Sequence, residues 1–156
     1  PYHPPPTRSR VRRGTEDDLD LLAGSLDVLA PWSRFAVDPR FGPDASRRMF
    51  DAWVARAVRN TDRMLAIAED DDGITGVSTN VMTPIPRVDL MGVIKPGTGA
   101  SMALMGELFS WAGGGDTQAG PCAARNIAVC RFVERCGFSF AEVRYLYHRW
   151  LDEDPT

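Results

Sequence analysis

An aspartate stands inside an apolar run, Arg87-Val88-Asp89-Leu90-Met91-Gly92-Val93. A carboxylate on a half-buried strand costs free energy unless it is used or paired. Asp89 therefore has two readings: a group that handles a proton in a reaction, or the ionic partner of Arg87 or another nearby arginine. Residues 32–43, Trp-Ser-Arg-Phe-Ala-Val-Asp-Pro-Arg-Phe-Gly-Pro, concentrate aromatic and basic side chains in irregular chain. Arg34 and Phe35 there, and Trp53 further on, either pack plainly or offer faces on which a sugar or base could stack. Cys122, Cys130 and Cys136 are an odd set with no paired spacing, which argues against a disulfide framework. With His3 and His148 they complete no zinc pattern, so no metal site is expected.

The elements that must position these residues are legible in the periodicity. The 156 residues suffice for one domain with one core. Thr15, then Glu16, Asp17 and Asp18, form a helix start, with Leu19, Leu22, Leu26 and Leu29 as one amphipathic stripe ended by Pro31. Asp44 is expected to cap a second helix carrying Met49, Phe50, Trp53, Val54 and Ala57. A short strand is expected at Val11 to Arg13. Met64 to Ala68 and Ile74 to Met82 read as a hairpin around Asp70-Asp71-Asp72-Gly73. Val88 to Ile94 is a third apolar strand. The turn Pro96-Gly97-Thr98-Gly99 opens a helix at about Ser101 to Ala112, stopped by Gly113-Gly114-Gly115. A strand at Thr117 to Ala124 follows, then a helix from Ile127 to Cys136 between an Asn126 cap and Gly137, then a last strand from Val143 to Leu151. The order β-α-α-β-β-β-α-β-α-β implies an α/β fold, a mixed sheet with helices on both faces. Residues 1–9 read as a disordered or extended Pro-rich lead-in, and 10–152 as the single domain.

Charge and hydropathy narrow the partners. The formal net charge of -3 gives no overall basic footprint for nucleic acid. Arg8, Arg10, Arg12 and Arg13 are read as a solvated strand edge rather than a phosphate site. No apolar run approaches the roughly 20 residues of a membrane span, and no signal-peptide core precedes the domain. Cytoplasmic residence is the default expectation.

The run from Asn126 to Phe138, with Asn at the helix start, Glu134 within it and Gly137-Phe138 after it, resembles the second conserved block of the GNAT acetyltransferases. Ser33-Arg34-Phe35, Asp38-Pro39, Phe41 and Trp53, with the tail Tyr147-His148-Arg149-Trp150, resemble the dTDP-fucosamine acetyltransferase group within it. The resemblance covers about residues 10 to 151 and implies a central splayed sheet, acetyl-CoA as cofactor and a small-molecule amine as acceptor. It assigns coenzyme contacts to the strand at Met91, Gly92 and Val93, to the loop residues Gly97, Thr98, Gly99 and Ala100, and to Asn126. It assigns acceptor contacts to Arg34, Phe35 and Trp53, and amine-proton transfer to Asp89. A homodimer is the expected form of any assembly.

Two positions depart from the family pattern. The basic residue that should lead the diphosphate loop is Ile94, with Lys95 beside it, and the loop is about two residues short. The tyrosine that protonates the leaving thiolate is replaced by Val133, which has no proton to donate. Tyr145, Tyr147 and Cys130 are the candidate substitutes; each also reads as ordinary strand or core filling. The resemblance thus implies an N-acetyltransferase acting on an amine such as that of a nucleotide-linked amino sugar. The alternative is the same fold turned to a coenzyme-independent reaction or to ligand binding.

Overall fold

A computed structural model describes residues 7–42 and 44–149. Five strands form one sheet in the order β1-β2-β3-β4-β5: β1 Arg10–Arg13, β2 Arg63–Asp70, β3 Gly73–Val81, β4 Arg87–Val93 and β5 Gln118–Ala119. The first four are antiparallel neighbours, and β5 lies parallel to β4. β2 and β3 meet at Asp70↔Gly73 across the acidic turn, as its residue types require.

Alternation in β2 divides the core in two. Leu65 and Ile67 face a cluster with Leu22, Leu26, Phe50, Val54 and Val77, under helix α3 (Ala45–Arg59). Ala66 and Ala68 face the opposite side, against Ala100 and Leu104 of helix α4 (Ala100–Trp111). Met105 and Leu108 of α4 continue that layer to Val88 and Cys136. Small residues on one face of β2 let α4 approach closely, while the leucine-rich face meets the bulkier α3. Each fully buried leucine contributes about 1.5–3 kcal/mol.

The first amphipathic stripe does not form one helix. It is a 3-10 turn at Glu16–Asp18, a single helical turn α1 (Leu19–Leu22) and a 3-10 stretch at Ser25–Trp32, broken where Gly24 turns left-handed at φ 72°. The Asp51 carboxylate accepts the Gly24 N–H at 3.2 Å, which holds the break. Leu22 and Leu26 still reach the core on either side of it, and Pro31 lies inside the 3-10 stretch rather than after it. Helix α2 (Arg34–Val37) and a 3-10 turn at Pro39–Phe41 complete the irregular segment. Asp44 precedes α3, but its side chain makes no capping bond.

Two strand expectations also change. The strand expected over residues 117–124 contracts to Gln118–Ala119. Gly120 comes so close to the Val88 carbonyl that a Cβ there would lie 2.2 Å from its oxygen, and Pro121 has no N–H for a ladder. The last strand is absent from residues 143–149, and residues 150–151 lie outside the described residues. A two-residue β5 offers almost no edge on which a further strand could pair. Of the expected lead-in over residues 1–9, 1–6 lie outside the described residues, whereas Thr7 and Ser9 hydrogen-bond to the Thr98 carbonyl.

Candidate functional site: the opening between β4 and β5

β4 and β5 pair only at Arg87↔Gln118 and Val88↔Ala119. Beyond Val88 no described strand pairs with the β4 edge turned away from β3, so that edge stands open along Asp89 to Val93. The start of α4 and helix α5 (Ile127–Arg135) follow the two strands that part, so both belong to this end of the sheet.

The register of β4 slips between Thr79↔Leu90 and Asn80↔Val88, which leaves Asp89 as the extra residue of a bulge. Without it Asp89 would share the α4 face with Met91 and Val93. Instead its carboxylate Oδ2 accepts from Arg63 Nη1 at 2.6 Å, and Arg63 alternates with Leu65 and Ile67 on the α3 face. The side chains are 26% and 12% exposed, so the pair is largely enclosed but not sealed from solvent. Of the two readings of Asp89, pairing is therefore realised, through Arg63 rather than Arg87. Asp89 Oδ1 has no protein partner among the described residues. Two buried polar atoms on the neighbouring strands, Arg63 Nε and Thr79 Oγ1, have no hydrogen-bond partner among the described residues. Arg63 could not be selected from sequence, because the pair forms across two strands and depends on a register slip.

Met91 and Val93 face α4, packed on the Ala66, Ala68, Ala100 and Leu104 cluster, so only their backbone borders the opening. Gly92 faces the other way; a Cβ there would lie 2.5 Å from Leu26 Cδ2, so the 3-10 stretch can seat on β4 only over a glycine. The loop before α4 has Gly97 and Gly99 left-handed at φ 83° and 80°. Gly99 is the N-cap of α4 and supplies no side-chain acceptor, so the first amides of the helix are not capped from within the loop. Those amides and the helix dipole suit an anion such as a diphosphate. Lys95 does not supply charge there. Its ammonium donates to the Asp72 carbonyl at 2.7 Å and lies 3.6 Å from Asp70, at the β2–β3 turn. Asn126 caps α5 as its type predicts, its side-chain oxygen accepting from Val129 N at 3.2 Å. Gly137 ends that helix at φ 91°.

Val133 is buried on α5. Tyr145 and Tyr147 are 82% and 86% exposed on a segment that belongs to no helix or strand, so the fold encloses neither ring and brings neither into the wall around Val133. The Cys130 thiol donates to the Ala124 carbonyl at 3.8 Å.

Arg34 and Phe35 come together, the guanidinium 4.5 Å above the ring. Phe35 meets Phe41 edge-on at 5.0 Å, and His148 packs on both rings. His148 Nδ1 lies 3.6 Å from Asp38, whose carboxyl is held down at about 2, first by the Arg40 guanidinium. Trp53 is not part of this group; its ring partner among the described residues is Phe50. A cavity of about 440 Å³ opens beside the group, lined by Asp27, Asp38, Ser46 and Arg47 among others, with no residue from β4 or β5. Sequence reading found Arg34 and Phe35 but gave Asp27, Ser46 and Arg47 no role, because they meet only when α3 folds back on the irregular segment.

No family model matches the sequence, and no curated protein matches it. Solved structures do match. The aminoglycoside N-acetyltransferase AAC(6')-Iy in complex with coenzyme A superposes with a TM-score of 0.64 at 15% identity, over 95% of this chain and 99% of that one. The aminoglycoside 6'-N-acetyltransferase AAC(6')-IG from Acinetobacter haemolyticus gives 0.60 at 13%, over 92% and 99%. A transcriptional regulator from Bacillus halodurans gives 0.64 at 14%, over 90% and 99%. The fold is therefore that of the GNAT acetyltransferases, a mixed five-stranded sheet flanked by helices. The two acetyltransferases among these structures are aminoglycoside enzymes, so the resemblance to the dTDP-fucosamine group is not supported.

Proposed function

We propose that this chain is an N-acyltransferase that moves an acetyl group from acetyl-CoA to the amine of a small polar molecule. The observation that carries the reading is the parting of β4 from β5 beside a helix start whose amides have no side-chain cap. An open strand edge suits a thioester carbonyl, and free helix amides suit a diphosphate. Acetyl-CoA, when bound, supplies the acetyl group as a thioester. The residues of this chain position and polarise. The β4 edge from Asp89 to Val93 offers backbone hydrogen-bonding groups to the thioester oxygen. The amides of Gly99 and Ala100 hold the diphosphate, with Gly97 and Thr98 shaping the loop, and Asn126 sets the wall from α5. Asp89 accepts the amine proton at Oδ1, directly or through water, while Arg63 holds the carboxylate in place through Oδ2.

The acceptor lies toward the cavity edged by Asp27 and Asp38, with Arg34 and Phe35 alongside. Acidic and aromatic groups together suit a cationic, sugar-like amine, whether free or nucleotide-linked. With valine at position 133, the leaving thiolate departs without help from that position. Tyr145 or Tyr147 takes over the acid's role only if the C-terminal segment closes on the opening.

Lys95 favours a second reading, in which the opening serves a ligand other than coenzyme A, since the loop's one lysine is committed to the β2–β3 turn. Thermal unfolding with coenzyme A and acetyl-CoA separates the two. At a hundredfold excess over Kd, binding adds about 2.7 kcal/mol, a rise of about 5–10 °C in Tm for a chain of this size. Absence of any shift at millimolar coenzyme, together with no thiol release across a panel of amines, would leave the second reading standing.

A further inference from the structure

Residues 139–149 belong to no helix or strand, and their apolar side chains Phe140, Val143, Tyr145, Leu146 and Tyr147 are exposed. The ion pair of Arg144 with Glu142, at 2.6 Å, is local and ties the segment to no other element. A segment with so few buried contacts is only as ordered as its anchor. Among the described residues that anchor is His148. Its ring meets Phe41 edge to face at 4.8 Å and lies 6.0 Å from Phe35. Its Nδ1 is 3.6 Å from Asp38 Oδ2, longer than a hydrogen bond but within the range of an ion pair. The two side chains are 25% and 18% exposed, so the screening that weakens surface pairs is reduced. The charged groups around the imidazole are few. Asp38 caps the 3-10 turn and is shared with Arg40, whose Nε donates to Oδ1 at 3.2 Å. Arg34 of α2 sits over the Phe35 ring, and Arg47 of α3, on the cavity that Asp38 also lines, is paired with Asp27 at 2.7 Å. On its own segment Tyr147 and Arg149 flank His148, and with Phe41 they line a hollow of about 320 Å³.

We infer that His148 is a protonation-dependent latch: its imidazolium clasps Asp38 and fixes the C-terminal segment beside the cavity that Asp38 lines, and its neutral form leaves the segment held by ring packing alone. Imidazole is the one side-chain type in this group that ordinarily changes charge between pH 5 and 8. The Asp38 carboxyl, held down at about 2 first by Arg40, stays ionised throughout that window. A proton on His148 therefore adds a positive charge opposite a fixed negative one. That attraction acts over 3.6 Å and outweighs repulsion from Arg40 and Arg34, whose charges are already shared with the carboxylate or spread on the Phe35 ring. The segment is latched on the acid side of the imidazole titration and loosened on the alkaline side. The latch also limits where Tyr145 and Tyr147 can go, since both lie between it and α5. It rests on the contacts of residue 148 and stands independently of the acyltransferase reading.

The test reads backbone order and needs no activity. Nitrogen-15 relaxation of the full-length chain is measured between pH 5 and pH 7.5. Order parameters of residues 144–149 should be about 0.8 at pH 5 and fall below about 0.6 at pH 7.5. The midpoint should match that of the imidazole signals that disappear in His148→Gln; His3 is the chain's other histidine and supplies the remaining set. Asp38→Asn keeps an oxygen to cap the 3-10 turn but removes the charge, and His148→Phe keeps a ring but cannot take the proton. His148→Gln, Asp38→Asn and His148→Phe should each give order parameters that no longer change with pH. Equal order at both pH values in the unaltered chain, greater order at the higher pH, or a pH dependence that survives any of the three substitutions would overturn the latch.

Discussion

Asp89 carries two demands at once. Asp89 begins the open β4 edge, and its carboxylate also neutralises Arg63, whose Nε has no hydrogen-bond partner among the described residues. Asp89→Asn should lower acetyl transfer by about 10²- to 10⁴-fold if the carboxylate takes the amine proton. It should also cost about 1–3 kcal/mol in stability, because Arg63 is left facing a neutral amide in an enclosed place. Steady-state kinetics and urea unfolding measure the two effects separately. Arg63→Gln isolates them: it should reproduce most of the stability loss while retaining a carboxylate at position 89. A fully active Asp89→Asn protein would reduce this residue to a structural ion pair. Sequence alone placed Asp89 on an apolar strand and posed the choice correctly, but the partner came from a neighbouring strand and could not be read from spacing.

The loop leading into α4 shows how one element's backbone sets another's reach. Gly97 and Gly99 are both left-handed, but their surroundings differ: a Cβ on Gly97 meets nothing within 4 Å, whereas one on Gly99 would lie 2.6 Å from Thr7 Oγ1. Gly97→Ala should therefore cost only the conformational strain, about 1–2 kcal/mol. Gly99→Ala should cost more and also loosen Thr7 and Ser9 from the Thr98 carbonyl. Thermal unfolding of the two variants side by side checks this; equal losses would mean that the segment before β1 does not hold the loop.

For the molecule as a whole, one ion-pair network ties the sheet edge to the first helical turns. Arg12 of β1 donates to Asp18 at 2.7 Å and to Glu69 of β2 at 2.9 Å. The Arg12 bond, the largest cause, lowers the Asp18 carboxyl to about 2. A carboxylate whose folded pKa is depressed adds stability above its unfolded pKa and loses it as pH falls through the folded value. Here that loss should run from about pH 4 down to about pH 2. Because Arg12 is 39% exposed, screening limits the contribution to about 1–2 kcal/mol. Asp18→Asn should remove this share of stability at neutral pH and flatten the acid limb of unfolding followed by circular dichroism. An unchanged acid limb would mean that the pair is not formed in solution. The Arg-rich strand is, in Arg10 and Arg12, a set of ion-paired edge residues, with Arg10 also bonded to Asp71.

What the sequence determined is what local chemistry can encode. Strands β2, β3 and β4 and helices α3, α4 and α5 fall within a few residues of where apolar periodicity places them. The Asp70–Gly73 turn, the Asn126 cap and the Gly137 exit follow from the conformations those side chains permit. Tertiary structure decided whatever depends on a neighbour distant in sequence. Gly24 breaks the first stripe because Asp51 of another helix holds its N–H. The last strand fails because β5 gives it no edge. Lys95 leaves the loop because the β2–β3 turn offers a carbonyl and a carboxylate within reach. The Asp89 bulge and its pairing with Arg63 likewise arise only when the chain is closed, since periodicity records which face a residue prefers and not which residue waits on the other side.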